Sequence, residues 1–125
     1  MNNIKDIIPV INHILPLLST IDEAILHVQN QLVELRYEES LTMLYDVLEG
    51  IASIETALHL MEEKFQMSRI NEELECLKNG LRKVLNSYEN KEQAKLENLV
   101  VKDVYPTFSS WKEEIERLLK PYVTS

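Results

Sequence analysis

A chain of 125 residues, 45% of them hydrophobic, carries enough apolar side chain to build one core without disulfides or metal. That excludes a disordered polymer and leaves no room for a second domain of ordinary size. With two glycines and four prolines it lacks the turn residues of a sandwich or barrel, and with a formal net charge of −8 it repels phosphate backbones and anionic headgroups, so nucleic acid and membrane are excluded as partners.

Cys76 is the single cysteine, so no intrachain disulfide can form, and a reducing cytoplasm is the expected compartment. The stretch from Ile7 to Leu18 is mostly apolar but carries Pro9, Asn12, His13 and Pro16. Asp6 spoils a basic leader and no small-residue cleavage site follows, so neither a signal peptide nor a membrane span is expected.

The first predicted helix runs from about Ile4 to Leu35. Ile4, Ile8, Ile11, Leu15, Leu18, Ile21, Ile25, Val28, Leu32 and Leu35 recur at steps of three and four, which places them on one face. Pro9 suits a first turn, where its missing N–H costs nothing, whereas Pro16 predicts a kink. The alternative is a break at Ser19–Thr20, with Thr20 and Glu23 as a capping box. The second helix is predicted from about Glu38 to Phe65, on the stripe Leu41, Leu44, Leu48, Ile51, Ile54, Leu58, Met61 and Phe65. Gly50 inside it costs about 1 kcal/mol against alanine, and a close helix crossing would account for it.

The third helix is predicted from about Ile70 to Tyr88, with Ile70, Leu74, Leu77, Leu81, Val84, Leu85 and Tyr88 as its stripe. Gln66 to Arg69 reads as the preceding loop, with Ser68 as a cap, and Asn86 to Asn90 as the following turn. The last helix is predicted from about Lys91 to Leu119. Leu96, Val100, Val104, Phe108, Trp111, Ile115 and Leu118 keep phase across Pro106, which favours one kinked helix over two meeting at Tyr105–Pro106 with Ser110 and Glu113 as a second capping box. Four helices with short links make an all-α, antiparallel up-down four-helix bundle, one domain over 1–125, with its first and last helices kinked at proline.

Chemistry is scarce along these helices. A di-iron bundle needs Glu-x-x-His pairs three apart, and none occurs. Glu23 with His27 and Glu55 with His59 are four apart, and His27 falls opposite its helix's apolar stripe, so solvated side chains are the expectation. Cys76 has no partner at a useful spacing and reads as a buried or half-buried thiol. Gly50 and Gly80 both fall inside helices, where they cannot cradle a phosphate. The acidic pairs Glu38–Glu39, Glu62–Glu63, Glu72–Glu73 and Glu113–Glu114 read as solvated faces, and Phe108 and Trp111 as core. No catalytic residue, cofactor or metal is expected, and no enzyme activity.

One feature exceeds what a bundle needs. Val10, Leu17 and Ala24 flank the first helix's stripe on one side, and Leu26 and Val33 on the other. The apolar arc is then about 200° wide, roughly twice what a surface helix needs. Either this helix is central in its own bundle, or one margin of the arc docks another chain.

Two stretches carry a resemblance. One is Tyr37-Glu38-Glu39-Ser40-Leu41 followed by Leu44, Asp46, Glu49, Gly50 and Ile51; the other is Val104-Tyr105-Pro106 followed by Trp111. Together they resemble an uncharacterised family of small helical-bundle proteins from Gram-positive, spore-forming bacteria. The resemblance implies a bundle of several helices and a bacterial cytoplasm, and it brings no catalytic residues.

The functional expectation is a non-enzymatic interaction module: a small adaptor, regulator or export chaperone that binds a partner helix through Val10, Leu17, Ala24, Leu26 and Val33. An obligate homo-oligomer, whose wide arc is self-interface, is the alternative, and a metal-carrying bundle stands behind it.

Overall fold

The computed structural model describes residues 4–123. It is all-helical, with no strand among the described residues. Helix α1 spans Ile4–Val33, α2 Tyr37–His59 and α3 Ser68–Glu89. The fourth helix is made of α4 (Gln93–Leu99), a π-helical turn (Val100–Val104) and α5 (Tyr105–Leu119), and a 3-10 turn (Lys120–Tyr122) follows. Helix α1 packs on α2, α3 on α4 and α5, and α1 also touches α4, the π turn and α5, the contacts of a four-helix bundle. His13 lies 3.1 Å from Ser53 and Ile21 lies against Gly50, while Arg69 reaches Glu114 at 3.6 Å and Gly80 faces Val104.

Helix α1 is unbroken through both prolines. The alternative break at Ser19–Thr20 is therefore corrected: Thr20 sits mid-helix, and its hydroxyl donates to the Pro16 carbonyl at 3.2 Å instead of capping a new helix. The stripe shifts by one residue near the N-terminus. Ile7 and Ile14 are buried, while Ile8 and Leu15 are only half-buried. The burial of Ile4 lies outside the described residues.

Two helix ends are closed without glycine. Past Val33, the Leu35 amide donates to Leu32 O at 3.0 Å and the Arg36 amide to Gln31 O at 2.8 Å. The same pair recurs after α3, from Lys91 to Tyr88 O at 3.2 Å and from Glu92 to Ser87 O at 2.8 Å. Both are Schellman closures, which need a left-handed residue at their centre. Leu35 (φ 61°) and Lys91 (φ 57°) supply it. Leu35 is thus an exposed cap residue and no stripe member, and the turn after α3 falls at Asn90–Glu92, later than expected. Left-handed geometry costs an L-residue about 1–2 kcal/mol, and the looser unfolded chain of a glycine variant returns about 0.4–1 of that. Leu35→Gly and Lys91→Gly should each raise the urea midpoint, and a lowered midpoint would show that the leucine or lysine side chain contributes more than its strain.

Two more boundaries differ from expectation. Helix α2 ends at His59, so Met61 is buried from a turn and Phe65 packs edge-on to Tyr122, ring centroids 5.3 Å apart. Ser68 is the first residue of α3 and makes no capping hydrogen bond; Met67 precedes it, with its side chain buried.

The fourth helix resolves the Pro106 question. Helical hydrogen bonding continues, but through a wider turn: the Tyr105 amide donates to Val100 O, five residues back. Proline has no N–H and its ring crowds the carbonyl four residues before it, so a widened turn ahead of Pro106 relieves both demands. The turn also explains the stripe. Leu96, Val100, Val104 and Phe108 are spaced four apart, and in an ideal α-helix three such steps would rotate about 120° off the core. All four are fully buried because the wider turn takes up the drift. Ser110 and Glu113 lie inside α5 and cap nothing.

The core is continuous from Ile7 to Leu119, with Trp111, Phe108, Ile115 and Leu77 at its centre. At one end α3 and α5 are clasped by charge: Arg69 Nε lies 3.3 Å from Glu73 and 3.6 Å from Glu114, and Arg117 Nη1 lies 2.7 Å from Glu114.

Candidate interaction surface

The five residues that widen the apolar arc of α1 divide in two. Val10, Leu17 and Ala24 are half-buried and packed against the core. Leu26 and Val33 remain exposed, at 41% and 61%. The structure brings each margin together on its own side of the helix, two heptad-spaced residues on one and three on the other, and does not join the two margins.

At Leu17 the first margin meets α2. Leu17 Cδ1 and the Ile21 side chain approach Gly50, where an added Cβ would lie 2.9 Å from Ile21 Cγ1 and Cδ1 and 3.9 Å from Leu17. Gly50 thus lets the two helices cross closely, as its position inside α2 implied. The width of the arc on this side is explained by the protein's own packing.

The second margin faces the fourth helix. The Asp22 carboxylate lies 3.8 Å from Lys112 Nζ. It also sits beside the Tyr105 phenol, whose pKa is raised first by that hydrogen-bonding carboxylate and then by burial. Asp22, a half-buried polar residue beside the α1 stripe, is thereby occupied in tying α1 to α5. Leu26 lies four residues after Asp22 on α1, and Val101, which is 42% exposed, lies four residues before Tyr105 on the π turn. Val33 lies two turns beyond Leu26. Leu26 and Val33, seven residues apart, form an exposed apolar seam on one face of α1, and Val101 is a further exposed valine on the π turn.

Val101 could not be found from periodicity, because the π turn takes it off the phase that the α-helical spacing implies. Its only signal is the run of apolar residues four apart around it.

Elsewhere the expected chemistry is replaced by ordinary contacts. Glu55 pairs with Lys78 at 2.8 Å and His59 hydrogen-bonds Glu62, so neither half of the four-apart pair serves the other. His27 is exposed. Cys76 is exposed, a correction to the buried or half-buried thiol expected of it, because it lies on the side of α3 turned away from Leu77 and Leu81. It borders an open groove with Asn79, Lys83, Lys102, Asp103 and Thr107. Among the described residues no group of three or more His, Cys, Asp or Glu side chains could hold a metal ion. No helix of the described chain is long and apolar enough to cross a membrane.

A second cleft lies between α2 and α3. Leu41, Tyr45, Leu85, Tyr88 and Glu89 line about 170 Å³. These helices meet mainly through side chains here: Ser40 Oγ donates to Tyr37 O at 2.9 Å and is hydrogen-bonded to the Tyr88 hydroxyl. Burial raises the Tyr88 pKa, the Ser40 hydrogen bond partly opposes it, and the nearby Tyr37 adds to the rise.

No curated protein and no solved structure matches the chain. A family model described as a domain of unknown function, DUF8042, matches residues 9–114.

Proposed function

Since the chain belongs to the DUF8042 family, whose description carries no activity, we propose its function from its own surface: a non-enzymatic protein–protein interaction module. The observation that supports this reading is the exposed seam of Leu26 and Val33 on α1, with Val101 exposed on the π turn, apolar side chains that the bundle has no need to leave in water. Burying an exposed leucine or valine in a complex contributes about 1.5–3 kcal/mol, so two or three such residues at the centre of an interface are enough to anchor a partner. In this reading the helices run up-down-up-down and antiparallel, and α1 and the fourth helix bend at their prolines. The protein acts in the cytoplasm of a Gram-positive, spore-forming bacterium, as a small adaptor, regulator or export chaperone for a partner helix.

The test is the double variant Leu26→Glu/Val33→Glu. Exposed substitutions ordinarily change stability by less than about 0.5 kcal/mol, so its melting temperature should stay near that of the wild type. Its association should not: the complex captured by the wild type from the native cytoplasm, or the mass of a self-associated species by light scattering, should be lost. A dimer that the variant converts to monomer assigns the seam to self-association. A variant that unfolds, or that retains every association of the wild type, removes the reading.

A further inference from the structure

Between α2 and α3 the bundle builds a cleft whose chemistry differs from that of the apolar seam. Two tyrosines, two leucines and one carboxylate line it: Leu41, Tyr45, Leu85, Tyr88 and Glu89. Tyr45 is 54% exposed, an unusual cost for an aromatic ring on a helix with core positions to fill. Tyr88 is half-buried, and its hydroxyl is fixed by Ser40, itself fully buried. One ring is thus held rigid while the other stands free at the mouth.

Of the residues that line this cleft, one is charged, Glu89. Glu89 lines it and forms no ion pair among the described residues. Arg82, two turns before Glu89 on α3, donates from its guanidinium to Asn79. The chain as a whole carries −8, so the field over the cleft favours a cation.

We infer that this cleft binds the arginine or lysine side chain of a basic partner peptide. The leucines cover the apolar stem, the tyrosine faces attract the cationic head, and the Glu89 carboxylate accepts its hydrogen bonds. A phosphorylated or acidic segment would meet the Glu89 carboxylate and is disfavoured by charge. The inference does not rest on the α1 seam, which lies on other helices, and either can stand without the other.

The experiment titrates the full chain with a short helical peptide of alanine and leucine carrying one central arginine. Its counterpart has citrulline at that position, the same shape without the charge. The readout is chemical-shift change in two-dimensional NMR, together with the dissociation constant. The arginine peptide should perturb Tyr45, Tyr88 and Glu89, and the citrulline peptide should bind at least about fivefold more weakly, as a partly desolvated cation–aromatic contact predicts. Tyr45→Ala and Glu89→Gln should each weaken the arginine peptide by a similar factor without moving the melting temperature, and Tyr45→Phe should restore most of the affinity. Equal binding of the citrulline peptide, shifts confined to other helices, or indifference to both variants would overturn the inference. So would tetramethylammonium chloride binding the cleft as tightly as the peptide, because the cleft would then be a small-cation site.

Discussion

Replacing Trp111 with alanine is expected to remove about 3–5 kcal/mol of stability, the range for truncating a large aromatic in a packed core. Trp111 is 0% exposed, and Phe108 lies beside it with ring centroids 6.0 Å apart. The indole Nε1 has no hydrogen-bond partner among the described residues, so the loss is one of packing and not of a polar contact. A domain of this size has about 5–15 kcal/mol in hand, so the variant should melt lower by more than about 10 °C. Trp111→Phe separates volume from chemistry: it leaves a smaller cavity and removes a buried N–H, so its cost should be well below that of alanine. Circular dichroism during denaturation measures both. A loss below about 1 kcal/mol for Trp111→Ala would place this side chain outside the core.

Gly50→Ala should destabilise and Gly80→Ala should not, although both glycines sit inside helices where alanine is intrinsically better by about 1 kcal/mol. The difference is what the new methyl meets. At Gly50 it would approach two carbons of buried Ile21 at 2.9 Å. Ile21 is β-branched and 3% exposed, so it has little freedom to retreat. Overpacking of this kind costs about 1–3 kcal/mol, which outweighs the propensity gain. At Gly80 the methyl would meet only Val104 Cγ2, at 3.6 Å, an ordinary contact. Gly80→Ala is therefore expected to stabilise by up to about 1 kcal/mol. The two variants should move the urea midpoint in opposite directions, and a stabilised Gly50→Ala would mean that α1 and α2 can separate at no cost.

Much of this architecture is legible in the spacing of apolar residues. Ile51, Ile54, Leu58, Leu74, Leu77, Leu81 and Val84 are buried on the faces their period assigns, and the role of Gly50 at a crossing follows from its position. Near the N-terminus the period is ambiguous, because Ile7–Ile8 and Ile14–Leu15 are adjacent apolar pairs and either member can serve the stripe. Only the packing of α1 on its neighbours selects Ile7 and Ile14. Helix ends were harder. Leu35 and Lys91 close their helices in a conformation that leucine and lysine rarely adopt, so no glycine marked the boundary. Of the surface residues, the exposure of Leu26 and Val33 is compatible with the width of the α1 arc, whereas Val10, Leu17 and Ala24 have neighbours within the chain that a single helix cannot reveal. The α2–α3 cleft was invisible for the same reason. Tyr45 and Glu89 are unremarkable on their own helices and acquire a joint chemistry only where two helices face each other.

The π turn ahead of Pro106 has a consequence for ancestry. A wide turn inside a helix is what a single inserted residue leaves behind when the residues on both sides keep their places in the core. Leu96 and Phe108 are both fully buried, so the packing on either side has accepted such a residue without rotating. A relative whose fourth helix is straight would then differ from this chain by a one-residue gap near Val100–Val104. Such a gap falls in the middle of a helix, where the comparison of sequences ordinarily refuses to open one. Relatives of that kind would align with Leu96 or with Trp111, but not with both, until the gap is allowed.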